Sequence, residues 1–355
     1  MKKTALLFII ISHFTYGQAF RSFSNEFLNL GVGADAFGMG KAVIASTNDV
    51  NAVYWNPAGL VHVKDHQGAL MHAEYYQGIG KYDYAGYATP INDKSAFAVS
   101  LIRFGVDDIM NTTELIDSQG NINYNNISLF SAADYALTVG YARTMLFKGF
   151  DVGLNGKIVR RHIGDFANSW GFGLDAAMQY QTESNWKFGL MLRDITTTFN
   201  AWSIDQEEFE KISNTIPGEN QEQPETLELT KPKIQFGVGK SFYFSHDISL
   251  LTEVDLNMRF SETNDLISTS FISIDPAIGF QLDYLKIVYL RAGVNNFQNF
   301  TEIDDSSSLS VEPNVGIGFR YKGIYVDYAL ANIGGASGTL FSNIFSLKVN
   351  FEYFK

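Results

Sequence analysis

The sequence contains no cysteine in its 355 residues. Disulfide bonds, and redox or metal chemistry based on thiolate, are therefore excluded. Beyond its first residues the chain also lacks any run of the roughly 18 apolar residues that a membrane-spanning helix needs. Basic residues are few, since 26 Lys and Arg stand against 38 Asp and Glu, and the net charge is −12. That charge argues against binding to nucleic acid, whose phosphates require a basic surface.

What the chain does contain is a series of long segments in which apolar and polar residues alternate. In the segment 247–260, for example, Val254 and Met258 share one face while Glu253 and Asp255 share the other. Soluble sandwich strands usually run about five or six residues, whereas roughly nine to eleven tilted residues cross a bilayer. The segment length therefore favours a membrane β-barrel, in which a closed sheet satisfies every backbone hydrogen bond.

The alternation predicts an all-β fold, a transmembrane antiparallel barrel of about fourteen strands. The predicted strands are 68–76, 80–90, 94–105, 133–146, 149–162, 169–182, 185–194, 231–244, 247–260, 271–283, 286–296, 310–321, 323–333 and 341–354. Their connections are alternately tight and long, as in outer-membrane barrels with short periplasmic turns and long external loops. The longest predicted loops are 106–132 and 195–230.

Two features fit this pattern less well. Pro276 falls inside the tenth predicted strand, where a missing amide donor predicts a bulge or an altered strand limit. The first three strands alternate poorly, and their boundaries follow less clearly from the pattern.

Three parts are expected along the chain. Residues 1–17 have the basic start and short apolar run of a secretory signal peptide. Residues 18–67 have a different, glycine-rich texture, and residues 68–355 form the barrel. An export signal followed by a barrel predicts the outer membrane of a Gram-negative bacterium, with lipid around the wall.

The glycine-rich part carries two motifs, FLNLGVGADAFGMGKA at 27–42 and NDVNAVYWNPAGL at 48–60. Asn56 before Pro57 favours an extended-to-turn geometry, and a glycine soon after permits close backbone approach. Irregular backbone of this kind is tolerated inside a barrel, where protein and water surround it. The glycines do not follow a strand of a βα unit, so a phosphate-binding loop is not expected.

These motifs resemble the opening of the PorV/PorQ family, a branch of the FadL-like outer-membrane proteins associated with the type IX secretion system of Bacteroidota. The chain departs from the family pattern at Asp35 and Phe37, where arginine and leucine are frequent, and at Lys41. The resemblance implies a fourteen-stranded barrel with residues 18–67 as a hatch in its lumen. The hatch motif is Trp55, Asn56, Pro57, Ala58 and Gly59. The alternative is that this box is only a structural turn that fixes the first strand.

The resemblance also implies a function without a chemical step. Such barrels bind the large translocon barrel or subunits of the surface-attachment complex, and secreted cargo that carries a C-terminal β-domain. Exposed loops on a rigid barrel are the usual contact sites, and the loop 195–230 is unusually apolar. Its candidate partner-binding residues are Phe199, Trp202, Ile204, Phe209 and Ile212. Alternatively, these residues pack a small lid over the barrel.

A second function stays open, that of a FadL-type channel for hydrophobic small molecules. Such a channel needs an apolar pocket beyond a movable hatch, whereas the inward positions here are mainly polar or glycine. Neither of these two functions is enzymatic. The histidines show no zinc-site pattern and no motif indicates a catalytic triad, so we expect no catalytic residues, no metal and no cofactor.

Overall fold

A computed structural model of the chain describes residues 24–75, 78–116, 119–215, 225–301, 306–331 and 342–354. The predicted signal peptide and the first residues after it lie outside these ranges. No helix in the described ranges is both long and apolar enough to cross a membrane.

The described chain forms one closed antiparallel sheet. Its strands are β1 Gln67–Tyr75, β2 Gly80–Asn92, β3 Ser95–Asn111, β4 Ser128–Thr144, β5 Phe150–Ile163, β6 Ala167–Gln181, β7 Trp186–Arg193, β8 Thr198–Ile204, β9 Leu227–Thr230, β10 Lys233–Tyr243, β11 Ile248–Arg259, β12 Ile267–Ser268, β13 Ser273–Tyr284, β14 Val288–Thr301, β15 Ser307–Tyr321, β16 Ile324–Ala331 and β17 Ser342–Asn350. The first strand, β1, pairs with β2 along one edge and with β17 along the other. This pairing of the first and last strands closes the barrel.

Short helical segments lie outside the sheet. They are α1 Ala34–Gly38, α2 Ala52–Trp55, α3 Gln206–Thr215 and 3₁₀ turns at Glu26–Asn29, Pro57–His62, Tyr124–Asn126 and Phe351–Phe354. Short turns join the strands at one end of the barrel, which we call the turn end. The longer connections lie at the opposite end, which we call the loop end.

Fourteen strands make up the wall, as the alternation predicts. Along one edge of β6, β7 pairs with the part nearer the turn end, and β8 pairs with the part nearer the loop end. β9 pairs with β8 and leads into β10, which pairs with β7. Of the seventeen strands, β7–β8 and β9–β10 therefore count as one wall strand each, and the two-residue β12 counts as none.

Two predicted loops are wrong in their limits. The range 195–230 is not a single loop, because β8 and β9 continue the wall and α3 follows β8. The range 106–132 is also too long, since β3 runs to Asn111 and β4 begins at Ser128. These strand extensions pass beyond the band where outward apolar residues alternate regularly, so the pattern does not reveal them.

Pro276 lies within β13 without displacing it. It pairs in register with Leu256 of β11, whereas pairing with β14 begins only at Ile278. The edge toward β14 is unpaired at this height, and such an edge tolerates a residue without an amide hydrogen. The bulge lies instead in β14, between Asn295 and Gln298.

Candidate functional site: a hatch held in the lumen

The buried core of the protein lies inside the barrel. Residues 24–66, which we call the hatch, carry fully buried apolar side chains that pack against the inner wall. Those with no exposed surface include Val32, Phe37, Ile44, Val50 and Leu60. A membrane barrel has lipid on its outside, so a core of this kind can form only in the lumen.

Two side chains of the hatch motif, Trp55 and Asn56, make hydrogen bonds to other parts of the protein. The Trp55 indole Nε1 donates to the Val32 carbonyl at 2.9 Å, and its ring meets Tyr54 edge-on with centroids 4.9 Å apart. The Asn56 amide nitrogen donates to the carbonyls of Ile44 at 2.9 Å and of Met178, in the wall, at 3.2 Å. The motif thus links separate parts of the hatch to β6.

The rest of the motif forms a tight turn. The Asn56 Oδ1 accepts from the Ala58 amide at 3.1 Å and caps the 3₁₀ turn that Pro57 begins. A side chain at Gly59 would overlap the Thr47 carbonyl, so this position requires glycine. The box lies in the lumen and also forms the turn that leads to β1, and its part in plugging the barrel stays a prediction.

The hatch packs against inward-facing glycines of the wall. A Cβ at each of them would meet hatch atoms, in most cases backbone. The wall positions are Gly153, Gly189, Gly237, Gly279, Gly293 and Gly316, and their hatch neighbours include Ala58, Ile44, Ala45, Met39 and Gly38. This explains why the inward positions are so often glycine, which allows two backbones to approach closely.

We expect Gly293→Val to destabilise the protein by about 1–3 kcal/mol, the usual cost of overpacking a filled core. Its new side chain would overlap the Met39 and Gly40 backbone. The matched control is Gly156→Val, which faces outward on β5 and meets only the Leu174 side chain, at 3.8 Å. The midpoint of heat-induced unfolding in detergent measures both. If the two variants unfold at the same midpoint, the hatch backbone at Met39 and Gly40 can shift at little cost to make room for the valine.

Two acidic side chains of β11 hold the hatch backbone. Asp255 Oδ2 accepts hydrogen bonds from the amides of Val43 at 2.8 Å and Ile44 at 3.0 Å. Glu253 Oε1 accepts from the Ala45 amide at 2.6 Å. Both side chains are buried, with 1% and 0% exposure for Glu253 and Asp255. Three successive hatch amides are therefore satisfied by one wall strand, where they would otherwise lack acceptors.

A buried lysine of the last strand holds the hatch on another side. Lys348 Nζ lies 2.6 Å from Asp35 Oδ2 and 2.5 Å from Asp49 Oδ2. Burial opposes ionisation of Asp35, but Lys348 and Arg291 outweigh it and hold the pKa of this carboxyl below its usual value. Asp35 is one of the departures from the family pattern. An arginine in its place would bring a second cation to Lys348.

Other lumenal charges pair within the wall. Lys157 Nζ lies 2.8 Å from Asp175 and 2.6 Å from Asp194. Arg291 lies 2.7 Å from Asp327. These pairs brace the barrel from inside, because buried charges are retained when paired.

The hatch separates two polar cavities. One, of about 200 Å³, lies toward the loop end and is lined by Lys41, Arg193 and Glu312 among others. The other, of about 260 Å³, lies toward the turn end and is lined by Lys187 and Asp283 among others. Trp55 lines both. Neither cavity has the apolar lining that a channel for hydrophobic molecules needs.

The predicted partner-binding residues do not form one patch. Phe199 faces outward on β8, its ring 5.9 Å from Phe172, while Trp202 faces inward beneath the Arg161 guanidinium. Ile204 ends β8 and Phe209 is half-buried on α3, while the Ile212 side chain lies outside the described atoms. Partner binding by these residues stays a prediction.

The start of the described chain reaches this same region. Ser24 and Asn25 are buried and hydrogen-bond to Thr230 of β9 and Asn200 of β8. The hatch therefore extends from the turn end to the extended β8–β9 hairpin. No sequence signal pointed to this contact, which joins residues about two hundred positions apart.

A family profile described as "Type IX secretion system protein PorV" matches residues 19–218, which include the whole described hatch and the wall as far as α3. The chain belongs to the PorV family. This confirms the predicted family. No curated relative matches it.

Solved structures show what this PorV-family barrel resembles in fold. The Pseudomonas putida toluene transporter TodX shares 12% identity with a TM-score of 0.53, over 94% of this chain and 98% of TodX. A Pseudomonas aeruginosa FadL homologue shares 13% identity with a TM-score of 0.51, over 90% and 98%. These structures confirm the FadL-like barrel fold, and the family match together with this fold confirms the predicted place in the outer membrane.

The family and the fold are those of secretion and transport barrels, not of enzymes. In the described ranges, no three His, Asp or Glu side chains gather as a metal site would require. His62, the nearest hatch histidine to a buried carboxylate, lies 3.5 Å from Asp151. Burial lowers the pKa of this histidine, which opposes its acting as a cation there.

Proposed function

We propose that this PorV-family barrel is a non-enzymatic component of type IX secretion that works by binding other proteins. Its partners are the large translocon barrel or subunits of the surface-attachment complex, together with cargo that carries a C-terminal β-domain. The observation that carries the proposal is the filled lumen. In the described part of the chain the hatch lies in the lumen, held by Glu253, Asp255 and Lys348, which supports partner binding by the outer wall and the loop end rather than passage through the barrel.

The second candidate is a FadL-type channel for hydrophobic small molecules. Its support is the fold, because the similar solved structures include the toluene transporter TodX. Against it stand the charged linings of both lumenal cavities, since small-molecule sites are lined mainly by apolar side chains. A channel would also require the hatch to leave the bonds that hold it.

Affinity purification from native outer membranes separates the two functions. We expect the tagged barrel to recover a large β-barrel or surface-attachment subunits, and we expect cells that lack it to retain cargo with C-terminal β-domains. The matched control is the same strain complemented with the wild-type chain, which should export the cargo. Recovery of the barrel alone, with an apolar molecule in its lumen and export intact, would favour the channel.

A further inference from the structure

A charged row crosses the outer, lipid-side face of the first three strands. His72, Asp83 and Arg103 stand directly opposite one another in β1, β2 and β3. His72 Nδ1 lies 2.7 Å from Asp83 Oδ1, and Arg103 lies 3.7 Å from Asp83 Oδ2. Their sequence neighbours Met71 and Ile102 are buried toward the hatch. Because side chains alternate along a strand, the charged row points outward.

The row continues toward the loop end. Arg103 lies 3.6 Å from Asp107, which lies 3.2 Å from Lys81. Glu74 lies 3.8 Å from His72. In the described strands, outward-facing carboxylates occur only on β1, β2 and β3. We call these six residues the outer charged cluster.

The cluster lies at a height where the far side of the wall is apolar. His72 is the third outward residue of β1 from the turn end, and Arg103 is the fifth of β3. On the far side of the barrel the outward residues are apolar, or threonine, for six positions from the turn end. They are Ile248, Leu250, Thr252, Val254, Leu256 and Met258 on β11, and Tyr284, Leu282, Phe280, Ile278, Pro276 and Ile274 on β13.

Hydrocarbon is a poor environment for such a cluster. Charged side chains on the lipid face of a barrel destabilise it in a depth-dependent way. The side chains of His72 and Asp83 are nevertheless 49% and 46% exposed to whatever surrounds the wall. This face therefore needs a surrounding that offers hydrogen bonds.

An apolar hollow lies beside the cluster. Two adjoining concavities of about 390 and 620 Å³ run along the outer face of β17, β1, β2 and β3. Small residues, among them Gly68 and Ala85, form their floor, and Leu70, Leu101 and Leu347 form their sides. Small residues at a membrane-embedded surface let a second backbone approach closely.

We propose that this outer face of β17, β1, β2 and β3 docks the transmembrane wall of a second membrane protein. The hollow receives apolar side chains of that wall, and the outer charged cluster meets a basic or hydrogen-bond-donating side chain at the same height. The cluster has three carboxylates against Lys81 and Arg103, so a donor completes it. This proposal rests on the proposed function, of which it names the binding face.

Other occupants fit less well. Lipid chains can fill the hollow but cannot donate hydrogen bonds to the cluster. A second copy, related by a twofold axis, would bring the same excess of carboxylates to both sides of the interface. A partner with a complementary donor satisfies both the hollow and the charges.

The absence of cysteine allows a direct test. Two variants, Leu70→Cys and Leu101→Cys, each carry one cysteine on the proposed face. In native outer membranes this cysteine is labelled with a benzophenone maleimide, which crosslinks to its neighbours on illumination. Matched controls are Leu282 and Val254, which occupy the second and fourth outward positions of β13 and β11 and are exposed to a similar extent. After illumination we expect one integral membrane protein to be crosslinked from the first pair and not from the second.

A charge variant completes the experiment. In the Leu70→Cys chain, Asp83→Ala with Arg103→Ala should lower the crosslinking yield several-fold, while the heat-induced unfolding midpoint stays the same or rises. The proposal is overturned by lipid adducts alone, by crosslinks to a second copy, by equal yields from both faces, or by a yield that ignores the charge variant. If the barrel co-purifies with secretion components but crosslinks only from β11 and β13, the face is wrong and the proposed function stands.

Discussion

Replacing Lys348 with methionine is expected to destabilise the protein by roughly 3–5 kcal/mol, the usual cost of leaving buried charge without its partner. Lys348 is only 8% exposed, and it is the cation that holds both Asp35 and Asp49. Methionine keeps the length of the side chain but leaves two carboxylates facing each other. The loss is measured as the change in the free energy of unfolding, from denaturant titration of the barrel in detergent.

An exposed pair of the same chemistry provides the control. Lys148 lies 2.7 Å from Glu183, with both side chains 87% exposed. Lys148→Met should therefore change the unfolding free energy very little, because exposed ion pairs contribute little. Adding Asp35→Asn and Asp49→Asn to Lys348→Met should recover much of the loss, since removal of the whole charged set can be nearly neutral. If Lys348→Met behaves like Lys148→Met, the hatch does not depend on this lysine.

The double variant Glu253→Ala with Asp255→Ala is expected to free the middle of the hatch. It removes the acceptors of three buried amides, each worth about 1–3 kcal/mol when left unsatisfied. Gln179 of β6 still donates to the carbonyls of Ile44 and Thr47, whereas the nearby glycines hold the hatch only by close contact. We therefore expect the segment around Ile44 to loosen. In planar bilayers we expect the wild-type barrel to stay closed and the variant to conduct ions.

Asp283→Ala is the matched control for this opening. Asp283 is also an inward carboxylate, but its partner is Ser249 of the wall and not a hatch amide. Its removal should leave the barrel closed. A double variant that also stays closed would mean that the other contacts, among them those of Lys348 and Gln179, suffice to hold the hatch.

The strands of the wall could be predicted from the sequence because each strand has one face toward lipid and one face toward the lumen. Lipid outside and a polar, glycine-lined lumen inside impose a period of two, so residues such as Val254 and Asp255 separate onto opposite faces. The fourteen predicted strands correspond one to one with the wall. The extension β8 could not be derived in this way, because beyond the bilayer its outward residues include Ala201 and Ser203 as well as Phe199.

The contacts of the hatch could not be derived either. Asp255 and Lys348 stand out in the sequence only as inward charges, and their partners Val43 and Asp35 lie more than two hundred positions away. A period of two shows which side a residue faces but not what it meets there. In the sequence Asp35 was noted only as a departure within the resemblance, and the structure shows that it pairs with Lys348.

The poor alternation of the first three strands has a structural cause. Several of their inward residues are large and aromatic, such as Tyr82 and Tyr84, and belong to the buried core that includes the hatch. Their outward residues include Asp83 and Arg103. The usual arrangement is thus reversed over part of β1, β2 and β3, and a weak pattern at this place marks an unusual environment rather than an uncertain strand.

The ladder between β1 and β17 has a consequence for biogenesis. β17 is synthesised after all the other described strands, yet it supplies both the strand pair that closes the barrel and the ammonium group that holds the hatch. Closure of the barrel and the ion pairs that Lys348 makes with Asp35 and Asp49 therefore depend on the same strand. A chain cut short before β17 would lack both the closing strand pair and this hold on the hatch.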